Sequence, residues 1–340
     1  MGKSVLFRSK AKDSLSSYTV LAVDVGGTKT NLALFRYEDN RLSLIREKTS
    51  VTKQFAGAIN CLKDFLGDDQ PDRICLGVAG PVQDSRVLLT NVSWEIDANR
   101  LSAALDNIPV FLINDLEATA YGLMGLEEKD LEVLNPGAPG SKGNIGIIAP
   151  GTGLGEAGLF WDGTYHHPFA TEGGHCDFSP RTTTHMQLYS HLHQQLGGHV
   201  SWERVVSGMG IVNIYEFLRD RKEMEEPAWL AEKMASMDRA AAVSLHAGDC
   251  AICSETMSLF FTFLAAESAN MALKFKATGG VYIGGGIIRK NMQHLHRNTF
   301  MKEFCSSGRL NPLLKDIPIT IILNDKTALL GAACYALLQE

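Results

Sequence analysis

The stretch from Leu21 to Phe35, LAVDVGGTKTNLALF, constrains this chain more than any other segment. Val20 to Val25 is a short, β-branched and nearly continuous apolar run, the pattern of a strand buried on both faces. Asn31 to Phe35 resumes the pattern directly after Gly26-Gly27-Thr28. The two runs predict a hairpin with the glycine pair in its turn. A glycine pair alone serves a turn equally well, but two neighbours add chemistry. Asp24 is a carboxylate at the end of an apolar strand, where burial is costly unless something pairs with it. The Gly-Thr step leaves bare N–H groups and a hydroxyl at the tip, the donors of a phosphate-binding nest. The Gly-Lys-Ser/Thr ending of a P-loop is absent, and the pair opens a strand rather than a helix. Both points argue against P-loop and Rossmann sites.

At 340 residues the chain is long enough for two domains, each with its own core. A formal charge of −6 argues against a nucleic-acid surface, though not against an anionic ligand met by local donors. No apolar run reaches membrane-spanning length. Residues 1–17 carry Lys3, Arg8, Lys10 and Lys12 with several serines and no long apolar core, so a loose extension is expected rather than a secretory signal. The seven scattered cysteines point to reduced thiols and a cytoplasmic location. Their one close pair, Cys250 and Cys253, lacks the further ligands a zinc site needs.

Along the chain, Arg41 to Thr49 predicts a third strand and Ala56 to Leu66 a helix. Ile74 to Val78 reads as a buried strand before Gly80-Pro81, and Val87 to Leu89 as a short extended piece. Asp97 is placed to cap a helix through Leu105. Val110 to Ile113 is another buried strand, delivering Asn114 and Asp115 at its end, where α/β sheets place ligands. Residues 135–144 form the clearest loop. Ile145 to Ile148 and the following PGTGLGEAGLFWDG then repeat the motif of strand, glycine–threonine turn and strand. In the second half, helices are expected over Met186–Leu196, from a Ser201 cap through Val206, over Cys250–Lys276 (ended by Gly279-Gly280), over Asn291–Phe304 and over Thr327–Leu338. Strands are expected at Val281–Ile283 and Ile317–Leu323.

Taken in order, DVGGTKTNLAL, PGTGLG, EGGH and GGGI resemble the sugar kinases of the superfamily that contains actin, hexokinase and the heat-shock chaperone ATPases. With TNVSW, INDLEATAYG, GHVSWERVVSG and DIPITIILNDKTALLGAA, the chain is similar to bacterial-type glucokinases from about residue 19 to its C-terminus. The related repressor–kinase group carries a cysteine-rich zinc motif after EGGH. The corresponding segment here, EGGHCDFSPRTTTHMQLYSHL, has one cysteine, so no structural zinc is expected.

The resemblance implies an α/β, two-domain actin-like/hexokinase ATPase fold with a ligand cleft between the domains. The expected division is 1–18 as an extension, 19–125 plus 325–340 as the small domain and 126–324 as the large one. Carried onto matching positions, Gly26, Gly27, Thr28 and Lys29 would cradle ATP phosphate, with Asp24 orienting water on Mg2+. Gly151, Thr152 and Gly153 would form a second phosphate turn, and Gly284, Gly285 and Gly286 would leave room for adenosine. Asn114, Glu172, His175 and Glu203 would bind sugar hydroxyls, and Asn91 would help to form the pocket. Asp115, also against the substrate, would be the general base for the 6-hydroxyl of D-glucose. Singly, each residue has an ordinary reading: Asn114-Asp115 as a turn or cap, Glu203 as a helix-end charge, His175 as a packed or exposed histidine. Trp94 and Trp202 read as packing.

The implied product is glucose 6-phosphate, and family habit points to a homodimer; the charge and the absence of a long apolar run point to no nucleic-acid and no membrane partner. A kinase for another hexose (fructose, mannose or an N-acyl hexosamine) would keep the phosphate motifs and differ only in the pocket. A non-catalytic sugar-sensing regulator would be expected to carry a basic helix-turn-helix before residue 20 or to lack Asp115. An actin-like ATPase scaffold would not need the sugar residues.

Overall fold

The computed structural model describes residues 7, 17–39, 41–89 and 92–339. It forms two compact units: Met1–Asp130 with Leu159–Ala170 and Asn324–Glu340, and Leu131–Gly158 with Thr171–Leu323.

The first unit contains β1 (Ser17–Val25), β2 (Lys29–Glu38), β3 (Arg41–Val51), α1 (Ala58–Leu66), β4 (Arg73–Val78), β5 (Arg86–Leu89), β6 (Trp94–Asp97), α2 (Ala98–Ala104), β7 (Val110–Asn114), α3 (Asp115–Gly122) and the chain's last helix, Thr327–Leu338. Its main sheet runs β3-β2-β1-β4-β7. The β1–β2 pair is the expected hairpin, with Asp24 opposite Asn31 and Val25 opposite Thr30. β1 reads as a continuous apolar run because both its faces are covered. Leu21, Val23 and Val25 share a core with Leu62, Phe65 and Leu101. Val20 and Ala22 pack with Ala332, Ala333 and Ala336 of the last helix. β3 is an edge strand, mostly exposed, and its Arg41, Arg46, Glu47 and Lys48 guard that edge against further pairing. Asp97 caps α2 as expected, accepting from the N–H groups of Asn99 at 2.9 Å and Arg100 at 3.1 Å.

The remaining elements are β8 (Leu131–Asn135), β9 (Ile145–Pro150), β10 (Leu154–Trp161), β11 (His166–Thr171), α4 (Thr183–Leu196), α5 (Gly208–Arg221), α6 (Ala228–Ser236), α7 (Arg239–Leu245), α8 (Ala251–Phe275), β12 (Gly280–Ile283), α9 (Gly286–Lys290), α10 (Arg297–Phe304), α11 (Asn311–Lys315) and β13 (Ile319–Ile322). The sheet order is β11-β10-β9-β12-β13-β8. Residues 159–170 within β10 and β11 are grouped with the first unit. α8 is buried along most of its 25 residues, with Phe260, Phe263 and Met271 at its centre. A helix apolar on every side is a core helix, and among the described residues no helix is long and apolar enough to cross a membrane.

Several expectations change. The helix expected from Ser201 is a single 3-10 turn, Trp202–Arg204, and Ser201 makes no capping bond. The capping serine is Ser207, whose Oγ accepts from Gly210 N–H at 3.0 Å and opens the longer α5. α8 stops ahead of Gly279-Gly280: Lys276 takes the left-handed conformation at φ 49°. The N–H groups of Lys276 and Ala277 then close on the carbonyls of Leu273 and Ala272, a Schellman ending built without glycine. The segment 291–304 divides into a 3-10 turn, Met292–His294, and α10. Trp94 and Trp202, by contrast, are core residues as expected, and Trp202 packs edge-on to Phe178.

Candidate active site

In the first unit, the β1–β2 turn and the end of β7 carry the expected polar groups. Asp24 is partly buried at the end of β1, and its Oδ2 accepts from Asn31 Nδ2 at 3.1 Å. Thr49 Oγ1 donates to Asn31 Oδ1 at 2.9 Å and so fixes which way that amide faces. Burial holds the Asp24 carboxyl above its ordinary pKa, and the Asn31 bond offsets part of the effect. A carboxyl discouraged from ionising by burial gains when a cation comes near.

The adjoining turn is tightly drawn. Gly26 N–H donates to Lys29 O at 3.0 Å. A Cβ on Gly26 would stand 2.8 Å from that same carbonyl, so the position requires glycine. Thr28 and Lys29 are exposed at the tip. From inside, Thr52 Oγ1 donates to Gly26 O at 2.8 Å and Thr52 N–H donates to Thr28 O at 3.0 Å. The sequence carries no motif that marks Thr52.

Asn114 ends β7 and caps α3. Its Oδ1 accepts from Leu116 N–H at 2.9 Å and Glu117 N–H at 3.4 Å, and Glu117 Oε2 returns the bond to Asn114 N–H. This is a capping box. The Asn114 amide group also donates to Gly80 O at 3.3 Å. Asp115 is the first residue of α3, and its Oδ1 accepts from Leu116 N–H at 2.9 Å. A helix N-terminus suits a carboxylate. Asn91 lies outside the described residues.

In the second unit, Glu172, His175 and Glu203 are brought together by backbone pairing. Glu172 precedes a 3-10 turn, Gly173–His175, and both Glu172 and His175 are exposed. The next residues are pinned to the segment that carries Glu203. Trp202 N–H donates to Cys176 O at 3.0 Å and Phe178 N–H to Val200 O at 2.8 Å. Beneath the turn lies Glu156 of β10, whose carboxyl would meet a Cβ on Gly173. Thr171 Oγ1 donates to Glu156 O and accepts from Gly173 N–H.

Glu203 is tied to the second glycine turn. Its Oε2 accepts from Leu154 N–H at 3.0 Å and would be struck by a Cβ on Gly153. The same turn is held at its other end, where Gly208 N–H donates to Gly151 O at 2.9 Å. Gly151 and Thr152 line a cavity of about 820 Å³ together with Gly208, Asp238, Gly286 and Lys290. Of the three glycines of the GGGI run, Gly286 lines this cavity. Gly284 and Gly285 pack elsewhere: Gly284 N–H donates to Ile148 O, and Gly285, at φ 90°, lies against Pro150 O. Gly153 packs against the Glu203 carboxylate. The α7 wall, Asp238 to Leu245, was not expected because nothing in its sequence departs from an ordinary surface helix.

The model of the Glucokinase family matches residues 21–339. A curated glucokinase of Nostoc punctiforme is 38% identical, covering 93% of this chain and 98% of its own. A glucokinase crystal structure from an Antarctic psychrotroph is 29% identical with a TM-score of 0.81, covering 94% of this chain and 98% of its own. A ROK-family glucokinase of Streptomyces griseus, solved with glucose and AMPPNP, shares the fold at a TM-score of 0.64 and 19% identity, covering 94% of this chain and 99% of its own.

Proposed function

The chain belongs to the glucokinase family and is an ATP-dependent hexose kinase, and on that premise we propose a residue-level route for moving the γ-phosphoryl group of ATP to the 6-hydroxyl of D-glucose. The observation that carries it is the Glu203–Leu154 hydrogen bond. One carboxylate oxygen is fixed by the N–H next to Gly153, and the other is left to accept from a sugar hydroxyl. The sugar ligand and the phosphate turn thus belong to one hydrogen-bonded cluster.

Glu172, His175, Glu203 and Asn114 bind sugar hydroxyls, and Asn91 is assigned to the same substrate. The Asn114 carbonyl oxygen is committed to its cap, so its contribution is an N–H donor. Asp115 accepts the proton of the 6-hydroxyl. That oxygen then bonds to the γ-phosphorus, the bond to the β–γ bridging oxygen breaks, and ADP leaves. The helix-end bond to Leu116 N–H holds the carboxylate in one orientation, and such alignment supplies much of the acceleration. The turns Gly26–Lys29 and Gly151–Gly153 present N–H groups to phosphate. The cavity beside Thr152 takes the adenosine.

Mg2+ fits as an ion carried mainly by the nucleotide. Among the described residues, no cluster of three or more His, Cys, Asp or Glu could hold a metal, and Asp24 is a single carboxylate suited to facing the ion through water. When bound, Mg2+ would neutralise charge on the phosphates. A cytoplasmic location belongs to the same reading, supported by seven free thiols, as does a homodimer.

The test is a coupled assay with purified protein, ATP, Mg2+ and a panel of hexoses. D-glucose should give the highest kcat/KM. A markedly higher value for fructose, mannose or an N-acyl hexosamine would move the assignment to that sugar.

A further inference from the structure

The phosphate turn between β1 and β2 contains two glycines, which carry no side chain to fix their own peptides. We propose that Thr52, backed by Thr30, is the positioning residue that aims the Gly26–Gly27 peptide at nucleotide phosphate; the proposal rests on the assignment of this turn to phosphate.

Thr52 is fully buried and Thr30 nearly so. A threonine hydroxyl has one proton to give. Thr52 gives it to Gly26 O at 2.8 Å, so in the 3.0 Å contact between the two hydroxyls Thr30 is the donor. The chain of bonds therefore runs from Thr30 through Thr52 to the turn. Thr52 N–H holds a second turn carbonyl, Thr28 O, at 3.0 Å. One residue thus grips the turn at two points from inside.

The consequence follows from peptide geometry. In a trans peptide the C=O and the following N–H point in opposite directions. Drawing the Gly26 carbonyl inward turns the Gly27 N–H outward, toward the side where Thr28 and Lys29 are exposed. Glycine samples many conformations when unrestrained, so without this grip that N–H would not hold one direction. Packing alone does not account for the pair. Valine fills nearly the same volume as threonine without the cost of burying a hydroxyl.

The test compares Thr52→Val, Thr52→Ser, Thr30→Val and Gly26→Ala. Affinities for ATP, adenosine and glucose are read by calorimetry, kcat by the coupled assay, and folding by melting temperature. Thr52→Val should weaken ATP roughly tenfold and lower kcat, with adenosine and glucose affinities within about twofold of the parent. Thr52→Ser restores the hydroxyl and should recover ATP affinity to within about threefold. Thr30→Val should fall between them. If Thr52→Val does not fold, Thr30→Val carries the test, because it removes the donor that orients the Thr52 hydroxyl while keeping Thr52 itself in the core: weaker ATP with unchanged adenosine supports the proposal, and unchanged ATP overturns it. ATP affinity kept in Thr52→Val but lost in Gly26→Ala would overturn the role of Thr52 and leave the phosphate turn standing. ATP affinity kept in both would overturn the phosphate assignment itself. Equal losses for ATP, adenosine and glucose would reduce Thr52 to a structural residue.

Discussion

Replacing Glu156 with glutamine should change the pH dependence of stability. Glu156 is 3% exposed on β10, beneath the turn between Glu172 and His175. Its Oε1 finds no hydrogen-bond partner among the described residues. Burial first, and then the nearby Glu267 carboxylate, push its pKa from 4.5 up to about 8, with Lys274 pulling the other way. Glu267 is itself fully buried on α8, where it accepts from Asn270 at 2.7 Å and Lys274 at 3.3 Å. One ammonium thus faces two buried carboxyls, and Glu156 keeps its proton. Because the folded pKa lies above the unfolded one, the native state binds the extra proton between pH 4.5 and about 8. Its stabilising effect is complete below the unfolded value and is lost as pH rises through that window. At about 1.4 kcal/mol per pH unit, the full span amounts to roughly 5 kcal/mol, of which about 3 kcal/mol falls between pH 6 and 8. Glutamine keeps the shape and cannot titrate. The assay is the melting temperature of wild type and Glu156→Gln across pH 5–9. The two should converge at the acid end, and the variant should gain several degrees on wild type toward pH 8. Parallel curves with a constant offset would refute the buried neutral acid.

Three further outcomes follow from the site. Glu203→Gln should weaken glucose binding roughly tenfold or more, a charged hydrogen bond being worth about 1.5–3 kcal/mol, and should weaken ATP binding less; an unchanged glucose dissociation constant would leave Glu203 only its bond to Leu154. Asn114→Ala removes the cap of α3 and should cost about 1 kcal/mol of stability, together with a rise in glucose KM; a normal melting temperature would contradict the capping box. Chelating Mg2+ should abolish turnover while a zinc-selective chelator leaves it intact, and stoichiometric zinc in purified protein would contradict the second half.

The local motifs were legible because each rests on short-range chemistry. A glycine pair between apolar runs permits a hairpin, and Asp97 before a polar helical start is a cap. Asn114-x-x-Glu117 also carries its box in the sequence, although the strand before it draws the eye to a turn. What was hidden depends on distant pairing. The bond from Thr52 to Gly26 joins the end of β3 to a turn 26 residues earlier. Glu156 became an acid beneath the Glu172–His175 turn only when β10, β11 and α8 were packed. The glycines show the same limit from the other side. Gly153 and Gly286 stand in equivalent-looking runs, yet one accommodates a carboxylate and the other lines a cavity. Composition distinguishes neither, since glycine's role is set by what approaches it.

The most direct test of the central claim is the turnover number of Asp115→Asn, measured beside its glucose dissociation constant and melting temperature. The amide keeps the shape of the side chain and an oxygen for the Leu116 bond, and it loses only the ability to take a proton. Turnover should fall by about 10²–10⁴, with glucose affinity and melting temperature close to those of the parent. Near-normal turnover in a folded, glucose-binding variant would contradict Asp115 as the base.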